Sequence, residues 1–192
     1  MTEYNRRISR QINVGGVKVG GGAPISVQSM TNTDTMNFEA TLNQVRGLEE
    51  AGCDIVRITI PNPDAARCIY HIKNAGVKIP LVADIHFDYR AALSALEAGV
   101  DKIRINPGNI GSEDRVKELA DAARRKGVPI RIGVNSGSLE KSILAKHGAP
   151  TAAALCESAM FHTSLLEKFD FNDIAISISS INPNNSVASI MR

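Results

Sequence analysis

Residues 80–108 read PLVADIHFDYRAALSALEAGVDKIRINPG. One complete structural unit is spelled out here. A β-branched run, PLVADIHF (80–87), ends in polar residues. Asp88 stands where a helix N-cap belongs, and Gly99 stands where a helix stops. A second β-branched run, KIRINPG (102–108), then begins. Strands joined through a helix in this way run parallel.

The unit recurs in both directions along the chain. Further strands are expected at PISVQSM (24–30), DIVRITI (54–60), PIRIGVNS (129–136) and IAISISS (174–180). Between them, apolar residues recur at helical spacing: Phe38, Leu42, Val45 and Leu48 in the first helix, Val116, Leu119 and Ala123 in the fourth. Gly52, Gly76 and Gly127 repeat the stop signal of Gly99, and Ser112 with Glu113 and Asp114 marks a helix start that favours the dipole. Six strands alternating with five helices predict an α/β fold, an incomplete TIM (β/α)8 barrel with about six of its eight parallel strands. Ahead of the first strand, INVGGVKVGGG (12–22) reads as a β-hairpin that could plug the barrel floor. The expected organisation is an N-terminal segment with this hairpin over 1–23 and a partial barrel over 24–180.

Composition narrows the functional classes. The chain has 192 residues, enough for one domain with a sizeable core. Trp is absent and aromatics make up only 4%, so the core must rest on Ile, Val, Leu and Ala. A net charge of +2 gives no argument for nucleic acid or a membrane surface. No apolar run is long enough to span a bilayer, and MTEYNRRISRQ has no signal-peptide core, so a cytoplasmic protein is expected. Cys53, Cys68 and Cys156 lie far apart, without disulfide, zinc or cluster-ligand spacing, and no metal site is expected on this chain.

Side-chain alternation carries the functional signal. Ile55, Arg57 and Thr59 share one face of their strand. Val82, Asp84 and His86 share a face of the next, followed by Lys102, Arg104 and Asn106, and then Arg131, Gly133 and Asn135. The opposite faces are almost purely Ile, Val, Leu and Ala, and these must meet the helices. The polar faces must therefore line the barrel interior, which is ordinarily filled with Val, Ile and Leu. The alternative, a half-exposed sheet with its arginines in water, conflicts with the coverage of parallel sheets on both faces. Burying an unpaired charge costs several kcal/mol. Asp84 can offset only one of Arg57, Arg104 and Arg131, so the remaining positive charge calls for an anion, and Arg forks suit phosphate oxygens. Asn106–Asn109 and Asn135–Gly137 are expected to add loop backbone donors at the strand ends. Asp84 is expected to pair an interior arginine rather than bind metal. His71, His147 and His162 are expected to be satisfied surface or core residues.

The motifs VQSMTNTDT, GCDIVRITIP, VADIHFDYR, IRINPGNIG and RIGVNSGSLEK, in this order, resemble those of the 4-hydroxy-3-methylbut-2-en-1-yl diphosphate synthases, and the likeness covers roughly residues 6 to 178. The resemblance implies an iron–sulfur oxidoreductase of the methylerythritol phosphate pathway of isoprenoid biosynthesis. Such an enzyme reductively opens 2-C-methyl-D-erythritol 2,4-cyclodiphosphate and dehydrates it to 4-hydroxy-3-methylbut-2-enyl diphosphate. It further implies a [4Fe–4S] cluster on a C-terminal domain that this chain lacks, so none is expected here. Flavodoxin or ferredoxin is the implied electron donor, and a homodimer the implied assembly. By motif match the diphosphate would be held by Arg57, His86, Arg104, Asn106, Arg131 and Asn135, with His86 and Asp84 as the catalytic pair. Two other functions compete: a pterin-synthase-like barrel enzyme and a non-catalytic diphosphate-binding fragment.

The chain departs from the family pattern near its end. Ser179 stands where the resemblance expects a substrate-binding lysine, and INPNNSVASIMR (181–192) lacks helical apolar spacing. Residues 181–192 are therefore expected to be a non-family tail, read out of frame or belonging to a truncated fragment; the coding DNA distinguishes the two. The truncated chain is expected to be inactive alone and poorly soluble.

Overall fold

A computed structural model describes residues 8–86, 88–106 and 110–180. Two short strands, β1 (Ile12–Val14) and β2 (Val17–Val19), form the antiparallel hairpin anticipated from INVGGVKVGGG. Its two-residue turn needs positive φ at both positions, which Gly15 (φ 55°) and Gly16 (φ 101°) supply. Gly15 also lies so close to Pro80 and Asp101 that a Cβ there would collide with both. The hairpin tip is thereby docked at the entry to the next sheet.

That sheet contains six parallel strands in chain order: β3 (Gln28–Met30), β4 (Ile55–Thr59), β5 (Leu81–Ile85), β6 (Lys102–Ile105), β7 (Ile130–Asn135) and β8 (Ile174–Ser179). It curls as an incomplete barrel, with β3 and β8 as its edges among the described residues. The connections carry α1 (Phe38–Glu50), α2 (Arg67–Asn74) after a short 3-10 turn at Asp64–Ala66, α3 (Tyr89–Glu97), α4 (Glu113–Lys126), α5 (Lys141–His147) and α6 (Ala152–Lys168). No helix among the described residues is long and apolar enough to cross a membrane.

The helix signals act as read. Asp88 caps α3 by accepting the Arg90 N–H at 3.0 Å. Gly52, Gly76, Gly99 and Gly127 all take positive φ just past helix ends. Ser112 occupies the N-cap of α4, although its side chain makes no capping bond.

Two expectations are corrected. The strand expected at 24–30 is ladder-paired only over Gln28–Met30. Pro24 offers no N–H, and the Val27 N–H is taken by the Asp54 carboxylate at 2.7 Å. The single helix expected between the last two strands is two, α5 and α6. Gly148 closes α5 in a left-handed conformation, and Pro150 delays the restart until Thr151, which caps α6.

Alternation partitions the sheet as its sequence requires. Val56, Ile58, Leu81, Ala83, Ile85, Ile103, Ile105, Ile130 and Ile132 point outward and are fully buried against the helices. At about 1.5–3 kcal/mol for each large aliphatic side chain, this layer is the main source of stability. A second, smaller apolar cluster lies on the inner face, where Ile12 and Val14 of the hairpin cover Ile55 and Val82, flanked by Val17, Val19 and Ala175. The hairpin seals the N-terminal end of the bore. Polar side chains occupy the rest of it.

Candidate functional site: a cationic bore

Strand register places Thr59, Asp84, Arg104 and Arg131 side by side on four neighbouring strands, with Arg57 one rung nearer the floor. Side chains in such rows stand about 5 Å apart, close enough for direct contact. Asp84 is the centre of the group and is completely buried. Its Oδ2 accepts from Arg57 Nε at 3.0 Å and from Arg57 Nη2, and its Oδ1 accepts from Arg104 Nη1 at 3.0 Å. His86 Nε2 lies 3.3 Å from Oδ2, where the strand gives way to the following loop.

One carboxylate thus hydrogen-bonds two arginines, although its single charge offsets only one of them. Its two oxygens point to opposite neighbours, β4 and β6. Burial pushes the Asp84 carboxyl upward, but the hydrogen bonds and charge of Arg57, with the charges of Arg104 and His86, outweigh it and hold the group below the usual range. Asp84 is therefore an anion throughout the neutral range, and it neutralises one positive charge of several.

Arg131 completes the row. Among the described residues its guanidinium has neither a hydrogen-bond nor an ion-pair partner. Burial, then the charges of Arg57 and Arg104, lower its affinity for its proton, and Asp84 opposes this. Lys102, two residues before Arg104 on the same face, is 4% exposed. Burial, followed by the charges of Arg131 and Arg57, pushes its ammonium down to about 8. Alternation had set Lys102 on the polar face without giving it a role. Its depth, set by the register with Val82 above the plug, is what makes it part of the site.

At the strand ends the outcome is mixed. Asn106 is buried and donates from Nδ2 to Ser138 Oγ at 2.9 Å, which ties the end of β6 to the loop after β7. Asn135 stands beside Ser179 in the ladder. The loop donors expected from Asn135–Gly137 are already used. Gly137 N–H donates to Asn135 Oδ1, Ser138 N–H to the Asn135 carbonyl and Ser136 N–H to the Ser179 carbonyl. The asparagine side chain closes an Asx turn and leaves these amides none to offer a ligand. Residues 107–109, from the other expected donor loop, lie outside the described residues, as do Phe87 and the tail 181–192.

The remaining histidines lie away from the bore. His71 packs beside Phe38, and His147 bonds Glu157 at 2.8 Å. His162 pairs with Glu140 through Nε2, but its buried Nδ1 and Glu140 Oε2 have no partner, so it is only half satisfied.

Fold and bore together define an incomplete parallel (β/α) barrel whose interior is charged rather than aliphatic. The chain belongs to the family of the GcpE TIM-barrel domain, whose model matches residues 9–192. It is 58% identical over 175 residues to the 4-hydroxy-3-methylbut-2-en-1-yl diphosphate synthase (flavodoxin) of Symbiobacterium thermophilum, covering 91% of this chain and 47% of that protein. The synthase of the same name from Chromohalobacter salexigens is 59% identical over the same shares. That of Fusobacterium nucleatum subsp. nucleatum is 57% identical over 92% of this chain and 49% of its own length. The chain spans about half the length of the curated relatives it matches. Among solved structures, a dihydropteroate synthase from Xanthomonas albilineans superposes with a TM-score of 0.61 at 17% identity, over 94% of this chain and 69% of the other. A type I 3-dehydroquinate dehydratase from Clostridium difficile gives 0.59 at 16%, over 91% and 81%. These likenesses show the fold alone, so the pterin-synthase alternative gains nothing beyond a shared barrel.

The described residues do not fit a [4Fe–4S] cluster. Burial pushes the Cys68 thiol up to about 11, against a hydrogen bond with Thr41, and a cluster ligand must be a thiolate. Cys53 packs against the outer core, and no three His, Cys, Asp or Glu side chains among the described residues converge to hold a metal.

Proposed function

We propose that the bore holds the diphosphate of 2-C-methyl-D-erythritol 2,4-cyclodiphosphate. In this reading the chain is the substrate-binding barrel for reductive ring opening and dehydration to 4-hydroxy-3-methylbut-2-enyl diphosphate. The observation that carries it is the charge imbalance: Arg57, Arg104, Arg131 and Lys102 face one carboxylate, Asp84, which is already shared. A small dianion offsets most of that excess, and guanidinium forks match its oxygens. Identity of 57–59% to 4-hydroxy-3-methylbut-2-en-1-yl diphosphate synthases, whose named product is itself a diphosphate, supports the choice of dianion.

The residues divide the task. Arg131 and the unengaged N–H groups of Arg57 and Arg104 bind and orient the diphosphate, and stabilise charge that develops on it as the ring C–O bond breaks. Asp84 holds two of those arginines in place. His86 donates a hydrogen bond or proton to a phosphate oxygen near the mouth. Asn106 and Asn135 shape the rim. The reading carries with it flavodoxin or ferredoxin as electron donor, a homodimer as the assembled enzyme and a cytoplasmic location.

Titration calorimetry of this chain with the cyclodiphosphate tests the proposal. Binding is expected in the wild type and at least tenfold weaker in Arg131→Ala, with no comparable binding of a pterin diphosphate. Equal affinity in the wild type and the variant overturns it, as does a preference for the pterin.

A further inference from the structure

Gly133 interrupts the inner face of β7 between Arg131 and Asn135. Its backbone is ordinary strand, without the positive φ that would require glycine. Glycine inside a strand weakens it, so conformation gives no reason for the choice. The space above it does. A Cβ built there would lie 2.3 Å from Arg104 Nε, 2.7 Å from Nη2 and 2.8 Å from Cζ. The guanidinium of the neighbouring strand occupies the volume that any other residue would fill with its own side chain.

We propose that Gly133 is a positioning residue: its missing side chain lets Arg104 lie across β7 while one amino group stays on Asp84. Arg104 donates to Asp84 through Nη1 alone. Its Nε–Nη2 edge, the edge that matches two phosphate oxygens at once, rests over Gly133 inside the bore. A methyl group at 133 meets only the far end of a movable side chain, so the strand survives. The guanidinium has to leave, and it takes the Asp84 contact and the free edge with it. Gly133 thus acts through Arg104, and it rests on the reading that the bore takes a diphosphate.

The test is a double-mutant cycle of wild type, Gly133→Ala, Arg104→Ala and the double variant. Each is titrated with the cyclodiphosphate and melted thermally. Gly133→Ala is expected to weaken binding at least tenfold and to melt within a few degrees of the wild type. The double variant is expected to bind no more weakly than Arg104→Ala alone. Unchanged affinity in Gly133→Ala overturns the proposal, as does a double variant that suffers the product of both losses. Should Gly133→Ala fail to fold, removal of Arg104 must restore folding; a double variant that also fails overturns it. A wild type that binds no cyclodiphosphate fails the ligand reading alone. The positioning is then read from the Asp84 carboxyl carbon by NMR. Its titration moves to higher pH in Gly133→Ala, as in Arg104→Ala, if Gly133 positions the arginine, and an unmoved titration overturns the role.

Discussion

Lys102 lies just above the plugged floor, almost without exposure, and its ammonium has no hydrogen-bond or ion-pair partner among the described residues. A buried ammonium beside guanidinium groups loses its proton early, and here burial, with Arg131 and Arg57, brings it to about 8 from an ordinary 10.5. Between those values the unfolded chain holds a proton that the folded one has shed, so stability rises with pH across the window. At about 1.4 kcal/mol per pKa unit the rise amounts to a few kcal/mol. Lys102→Met is expected to flatten this dependence and to be at least as stable as the wild type at pH 7, as urea unfolding at several pH values can measure. A dianion in the bore restores the charged form. Binding near pH 8–9 should therefore take up a proton, visible as a buffer-dependent binding enthalpy that disappears in Lys102→Met. Buffer-independent enthalpy in the wild type, or a persistent dependence in the variant, contradicts this assignment.

At the scale of elements, the hairpin converts an open bore into a cup. Val14 is fully buried on the inner face, whereas Lys18 on the opposite strand is exposed. Val14→Asp places an unpaired charge between Ile55 and Val82 and is expected to cost at least about 3 kcal/mol, with Lys18→Ala near neutral, as read from denaturation midpoints. A Val14→Asp chain as stable as the wild type means that the hairpin does not seal the floor. The hairpin was legible because two adjacent glycines between short β-branched runs have few other uses. The polar inner face was equally legible, since period-2 alternation survives any error in strand ends. Less could be read where partners are decided across strands. That Asp84 serves both Arg57 and Arg104 follows from the stagger of β4 against β6, which no single strand encodes. The break between α5 and α6 had local signals in Gly148 and Pro150, but apolar residues continue across it. The Asn-Ser-Gly turn could have been read as an Asx turn, and that reading removes its amides from the donors offered to a ligand.

For the whole molecule, the sheet has two edges, β3 and β8, that no element among the described residues covers. Eight-strand barrel geometry does not close over the six described strands. On β8, Ile176 faces outward with nearly half its surface exposed, and before β3 Ile25 and Val27 are exposed as well. A six-residue strand with one free row of N–H and C=O groups is a template for another strand, and an adjoining apolar side chain adds burial to the hydrogen bonds. The chain is therefore expected to self-associate with rising concentration, through β8 rather than through its charged bore. Charge on an edge strand opposes such pairing, because docking would have to desolvate it. Ile176→Lys alters only the outward face and leaves Ala175 and Ser177 toward the interior, so it is expected to shift the chain toward monomer without disturbing ligand binding. Sedimentation velocity over a concentration series measures both. A wild type that stays monomeric throughout, or a variant that associates equally, removes β8 as the contact.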